Sequence, residues 1–291
     1  MRPLTQPRSF PQKWRRTGMI GLGIALAVTS ASAQFNDAKL IAIWDASDES
    51  NQEQIDHGPW QELLDAHLSA DGEGPNRFDY RGLNSNSSDR RKLGAYLNRL
   101  QKLDPRKYSR AEQKAYWINL YNALTVKIVS DNYPVESIRD IRSKRWLAGL
   151  VFPGPWDDAY AKVAGQDISL NNIEHGILRP IWRDNRVHYG VNCASYSCPD
   201  LLTTAFTAGN TEELLDAGAR AYVNDRRGVD LVDEDFMVIS SVYDWFKEDF
   251  GGSEEGILEH LKLYAEGELA EELRDFEGAI DYDYDWSLNA P

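Results

Sequence analysis

The sequence predicts an α+β fold: a central buried helix packed on a small, mostly antiparallel sheet, with flanking helices. Three observations predict it. Residues 115–129 are apolar nearly all round, the pattern of a helix covered on every side. Two pairs of short β-type runs flank turn residues: 159–163 with 166–169 about Gly165, and 229–232 with 236–239 about Asp233-Glu234-Asp235. Helical periodicity recurs before and after them, with no internal repeat and no low-complexity tract.

The elements follow in order. Residues 1–33 read as a signal peptide: Lys13, Arg15 and Arg16 precede a short apolar run, and Ala31-Ser32-Ala33 fits the small-x-small cleavage rule. That run is too short to span a bilayer. Arg15-Arg16 lacks the neighbours of a twin-arginine signal, so the general export route is expected, and Gln34 in place of Cys argues against a lipoprotein anchor. The expected location is periplasmic or secreted. Residues 34–58 read as a lead-in that starts as a short helix (Phe35, Lys39-Leu40, Ile43-Trp44) and turns polar at Ser47 to Glu53, and 59–291 as one domain. Trp60, Leu63, Leu64 and Leu68 mark a helix; His67 on it is expected at the surface. Asp71 to Pro75 is a turn, Arg77 to Tyr80 a short strand and Asn84 to Ser88 a loop; Asp89 is expected to cap the next helix. Ser109-Arg110-Ala111-Glu112 is a capping box opening the central helix. The Gly- and Pro-rich stretch 146–156 is an ordered loop over the core. Asn171 to Glu174 resembles a helix cap, and that helix is expected to end near Arg179-Pro180. Further helices are expected over 211–223 and 256–266, and an edge strand over 280–286; the aromatic stretch Ser241 to Phe250 runs up to Gly251-Gly252.

Composition excludes whole classes of partner. The chain has 32 basic and 46 acidic residues; the leader takes five basic residues and no acid, leaving a formal net charge of −19. Such a surface repels phosphate backbones and anionic lipid, so nucleic acid and membrane-surface partners are disfavoured, and no membrane span is expected after leader removal. Nine Trp and 11% aromatic residues identify a globular chain. There is no Gly-rich phosphate loop, zinc-type spacing or serine elbow, and Asp233 to Asp235 lack calcium-loop spacing, so neither metal nor cofactor is expected.

The focal stretch is His188-Tyr189-Gly190-Val191-Asn192-Cys193-Ala194-Ser195-Tyr196-Ser197-Cys198-Pro199, which holds both cysteines. His188 to Val191 has strand character, and a small polar loop follows. In an exported protein two cysteines five apart suit a disulfide. The same pair suits a nucleophile, with His188 or His175 as base. A straight strand turns positions 188 and 193 to opposite faces, which favours Cys198 over Cys193 as the partner of His188. Backbone N–H groups of the turn 194–197 are candidates for an oxyanion hole. Elsewhere, Glu174, His175 and Arg179 cluster on one helix, His175 as an acid/base group and Arg179 as a carboxylate clamp. Asn119 and Asn122 share a face of the central helix and either tie neighbouring loops or orient a substrate.

These motifs (Ala115 to Leu124, Ser169 to Arg179, His188 to Pro199 and Tyr284 to Asn289) resemble the family known as domain of unknown function 547. The resemblance covers most of the chain after Trp60 and implies no established activity, although bacterial members are often exported. At a distance the helix and following strand look like papain and transglutaminase folds. There a Cys stands near the start of the central helix, where this chain has Asn119 and Asn122, so no standard triad carries over.

Two functions follow as expectations. The first is a thiol-dependent hydrolase or acyl transferase of the cell envelope, acting on a peptide or amide bond through Cys198 or Cys193 with His188, His175 and Glu174; its partner is a peptide, small molecule or envelope component. The second is a non-catalytic binding module with a papain-like cleft stiffened by a Cys193–Cys198 disulfide, in which Trp146, Trp156 and Tyr196 line a groove and Arg179 holds a polar group. The C-x4-C spacing, without a thioredoxin-type βαβ pattern, argues against a redox protein.

Overall fold

The computed structural model describes residues 38–70, 74–143 and 154–291. The leader, the first part of the 71–75 turn and the loop from Trp146 to Pro153 lie outside the described residues. A short 3-10 turn, Ala42–Trp44, precedes α1 (Gly58–His67), β1 (Leu68–Ser69), β2 (Arg77–Phe78), α2 (Tyr80–Ser85), α3 (Ser87–Lys102) and α4 (Arg110–Asn132). The hairpin β3 (Ala161–Val163) and β4 (Gln166–Ile168) follows, then α5 (Leu170–Ile173), a π-helical turn (Glu174–Leu178) and α6 (Arg179–Trp182). Next come α7 (Val187–Gly190), α8 (Thr211–Val223), β5 (Val229–Asp233), β6 (Phe236–Ser240), α9 (Ser241–Trp245), α10 (Glu254–Tyr264), α11 (Gly267–Arg274) and β7 (Ala279–Asp283).

The α+β class holds. Helix α4 is buried along almost its whole length, as its all-round apolar pattern requires. It packs against α2, α3, α5, the π-helical turn and α8. The three-stranded sheet β5-β6-β7 serves a second cluster with Tyr189, Tyr222, Tyr243 and Phe250. All strand pairs are antiparallel except β6 with the edge strand β7. The stretch before α1 also enters the first core: Trp44 is buried edge-on against Trp117, with ring centroids 5.1 Å apart.

Local chemistry sets the element ends. Ser109 caps α4 by accepting the Glu112 N–H, but the Glu112 carboxylate accepts the Ile55 N–H, so half the expected box is spent on tying the lead-in down. Asn86, not Asp89, caps α3, because residues 80–85 form a helix that ends at Asn86. Asp89 instead bonds His67 at 3.0 Å, and the His67 side chain is largely covered. Ser169, two residues before the expected cap, forms a reciprocal capping box with Asn172.

The helix after that box passes through Pro180 to Trp182. Proline removes a donor and the π-helical turn shifts the bonding pattern, which frees carbonyls. Lys39 N–H donates to His175 O at 3.0 Å and Ile41 N–H to Gly176 O at 2.9 Å. Glycine at 176 lets Ile41 pack close, since a Cβ there would sit 2.5 Å from Ile41 Cδ1 and displace that side chain.

Candidate functional site

Residues 187–190 form a helical turn, α7, not the expected strand. The Asp184 carboxylate accepts the Arg186 N–H and starts the turn, and packing on α8 completes it. A Cβ at Gly190 would meet Leu215 at 2.7 Å, so the β-branched residues around it yield to tertiary contact. The face-parity argument between His188 and Cys193 therefore lapses.

The loop beyond α7 is held from outside. Asn122 donates to Gly190 O at 2.8 Å and accepts the Asn192 N–H at 2.8 Å. Asn192 in turn accepts the Ala194 N–H and donates to Pro199 O. Ala194 takes a left-handed φ of 64°. Asn119 makes the same two-point clamp on Phe206. Both asparagines tie loops, and neither lines the cavity described below. Three of the four turn N–H groups are committed as well, Ala194 to Asn192, Tyr196 to Ser287 O and Ser197 to Asp285 O, while the Ser195 N–H favours the ionised form of Cys193. The expected oxyanion hole is not built from those groups.

Both cysteines are free thiols; the expected bridge is not formed. Their sulfurs touch at 3.1 Å, with the Cys193 thiol donating to Cys198 Sγ; once Cys193 ionises, the Cys198 thiol becomes the donor. Cys193 N–H donates to Cys198 Sγ at 3.0 Å. The Ser195 and Tyr284 hydroxyls lie 3.0 and 3.2 Å from Cys193 Sγ and 2.7 Å from each other. The bond from Cys198 is the largest influence on Cys193; with Ser195 and Tyr284 it outweighs burial and brings the thiol down to about 7. Burial pushes Cys198 the other way, well above an ordinary thiol. The pair is thus divided into an ionisable sulfur and a protonated donor.

Facing the sulfurs is an ionic cluster. His188 Nε2 lies 2.8 Å from Asp249 Oδ2 and Nδ1 3.5 Å from Glu174 Oε1, so both ring nitrogens are engaged by carboxylates and neither bonds a cysteine. Burial lowers the His188 pKa, but the bonds to Asp249 and Glu174 outweigh it and raise it above the usual range. Arg179 Nε donates to the same Asp249 oxygen at 2.5 Å, and Nη1 to His175 Nδ1 at 3.2 Å. That bond fixes the His175 proton on Nε2. Burial, aided by Arg179, lowers the His175 pKa, so the ring is neutral at neutral pH. For Glu174, burial is overcome by His175, His188 and Arg179, which hold it at about 2. His188 stacks on Phe246, centroids 4.2 Å apart, and Arg179 lies over the other ring contact of Phe246 at 4.9 Å.

The two groups share a narrow cavity of about 50 Å³. Glu174, His175, His188, Cys193 and Cys198 line it, with an aromatic wall of Trp156, Trp245, Tyr284 and Trp286. The Trp245 and Trp286 rings stack at 5.4 Å. A volume of this order admits one or two water-sized groups, so anything larger must stay at the mouth. Arg179 lines a second cavity with Asp249, and Tyr196 packs under Arg77, 5.8 Å from its guanidinium. Trp146 lies outside the described residues. No grouping of His, Cys, Asp or Glu among the described residues is arranged to hold a metal ion, and no helix there is long and apolar enough to cross a membrane.

Sequence reasoning brought Glu174, His175 and Arg179 together correctly and found both sulfurs. It missed Asp249, Ser195, Tyr284 and the Trp245–Phe246 pair. The signal was present as aromatic–acid clusters at 243–250 and 282–286, whose partners lie 61 to 91 residues away.

Residues 105–223 match the model of the family described as "Protein of unknown function, DUF547". The match runs from before α4 through α8 and includes both cysteines, Glu174, His175 and His188; Asp249 and Tyr284 lie beyond it. Neither a curated protein nor a solved structure matches the chain.

Proposed function

We propose that this protein is a thiol-dependent acyl transferase or hydrolase in which Cys193, not Cys198, is the nucleophile. One observation carries the reading: Cys193 Sγ lies within 3.2 Å of the Cys198 thiol and of the Ser195 and Tyr284 hydroxyls, on the wall of a cavity shared with a carboxylate and an imidazole. A thiol held at about 7 needs no dedicated base to ionise in part at neutral pH.

The thiolate attacks the carbonyl carbon of an ester or amide. A carbon–sulfur bond forms, the carbonyl electrons move to oxygen, and the leaving group departs to give a thioester. His175, neutral and protonated on Nε2, donates to the developing oxyanion, the part played by a neutral imidazole electrophile. Glu174 stays a carboxylate paired with the His188 imidazolium and fixes the charge of the site; the proton that Cys193 loses to water on ionising is returned to the leaving group through water. Water or an amine then takes the acyl group and regenerates the thiolate. The cavity volume restricts the acyl part to a small group, with the rest of the substrate on the aromatic wall. Export through the leader read at residues 1–33 belongs to the same proposal; the mature chain is expected to begin at Gln34.

The test is capture of the intermediate. Brief exposure to p-nitrophenyl acetate should leave one acetyl group on Cys193, located by peptide mass spectrometry, and Cys193→Ala should not be acetylated in that peptide. Acetylation spread over lysines, equal in both proteins, would refute the reading. The aromatic wall supports the alternative of a non-catalytic binder, which that second outcome would favour.

A further inference from the structure

Cys198 has no place in an acyl-transfer step except as a donor to its neighbour, yet its sulfur touches the nucleophile. A serine would supply a donor as well. A second sulfur at 3.1 Å supplies something a hydroxyl cannot, which is a partner for a covalent bond. We infer that Cys198 is a resolving thiol, and that oxidation by a hydroperoxide closes a reversible Cys193–Cys198 disulfide that switches the site off. The inference rests on the reading of Cys193 as nucleophile and names the regulation of that same site.

The chemistry balances with one hydroperoxide. Cys193 thiolate attacks the terminal peroxide oxygen; the O–O bond breaks, leaving a Cys193 sulfenic acid and hydroxide, or alkoxide from an organic hydroperoxide. Cys198 sulfur then attacks the sulfenic sulfur. The S–S bond forms as the S–O bond breaks, and the Cys198 proton leaves with the departing hydroxide as water. Two thiols are oxidised and one peroxide is reduced.

The surroundings favour closure over further oxidation. Sulfur contact must shorten by about 1 Å to reach a disulfide. The loop backbone that carries both residues is already turned back on itself: Asn192 bonds Pro199 O, and Cys193 N–H bonds Cys198 Sγ. Asn122 and Leu288 hold it from outside, the latter through a bridge to Ser195, so closure needs side-chain rotation rather than loop refolding. Cys198 is buried, which keeps it from meeting an external oxidant before Cys193 does. An attacking thiol already in contact intercepts the sulfenic acid before a second peroxide reaches it.

The experiment uses the full-length protein, reduced, then treated with hydrogen peroxide with and without dimedone, and read by intact mass and by iodoacetamide labelling. The expected result is loss of two hydrogens per chain without dimer formation, no dimedone adduct, loss of Cys193 labelling, and recovery of both thiols with a phosphine reductant. In Cys198→Ser the sulfenic acid should persist and be trapped by dimedone on Cys193. A wild-type protein that gives dimedone adduct or sulfinic acid at Cys193 while Cys198 stays free would overturn the inference and leave the nucleophile intact. Two thiols that resist peroxide while Cys193 still alkylates would do the same. If Cys193 of the reduced protein does not alkylate at all, the nucleophile reading falls, and this one with it.

Discussion

The two walls of the cavity hold charge by opposite means. On one wall a sulfur is surrounded by neutral donors: a thiol, a serine and a tyrosine hydroxyl. On the other, two carboxylates, an imidazolium and a guanidinium neutralise each other. Neutral donors stabilise an anion modestly, so Cys193 is left near 7, where small changes in its surroundings alter its ionisation. Paired full charges in a covered site favour the ionised form of each partner, so Glu174 is held at about 2 and His188 is raised above the usual imidazole range. One wall is responsive and the other is fixed.

Breaking the fixed wall should have the largest effect. Asp249→Asn leaves His188 and Arg179, both buried, without their shared carboxylate. Removing one partner of a buried ionic group costs about 3–5 kcal/mol, to be read as a fall in the urea midpoint. The pH dependence of that loss sharpens the contrast. Asp249 and Glu174 are depressed, so their contribution is present above the unfolded carboxylate values near 4 and lost as pH falls through the folded ones. His188 is raised, so its contribution is present below about 6.5 and lost as pH rises through its folded value. The stability gap between wild type and Asp249→Asn should therefore be flat between about pH 4.5 and 6.5 and shrink on either side.

A pair of substitutions on α4 comes next. Asn119→Leu and Asn122→Leu each strip a two-point clamp and leave backbone groups unpaired, at about 2 kcal/mol apiece in chemical denaturation. Only Asn122 holds the cysteine loop, so only its loss should change the alkylation rate of native Cys193. Equal changes in both variants would show that the loop is not positioned through Asn122.

The smallest effect belongs to the responsive wall. Tyr284→Phe removes one hydrogen-bond partner from Cys193, worth about 1 kcal/mol, so labelling of Cys193 by iodoacetamide at pH 7 should fall roughly threefold with little change in stability. An unchanged labelling rate would mean that the tyrosine does not contribute to the thiol's acidity.

How much of this was readable in the sequence follows from sequence distance. Helix α4, the hairpins and α8 announce themselves through local periodicity and turn residues, and they are where expected. The i, i+4 pair His175 and Arg179 is a property of one helix and was legible too. His188 to Val191 was not, because its strand propensity is overridden by contact with α8, which no local window contains. The π-helical turn inserts one extra residue into the bonding pattern and leaves no mark on apolar spacing. Which sulfur is acidic depends on Tyr284, 91 residues from Cys193, and on the contact between the two sulfurs. The choice of Cys198 as the partner of a histidine rested on a straight strand that does not exist, and both His188 nitrogens face carboxylates instead.

The most direct measurement is the pH dependence of iodoacetamide alkylation in the native, reduced protein, with each cysteine followed by peptide mass spectrometry. The account predicts that Cys193 reacts with a midpoint near pH 7 and that Cys198 stays unmodified until the protein is unfolded. Alkylation of Cys198 first, or of both only above the pH of an ordinary free thiol, would contradict it.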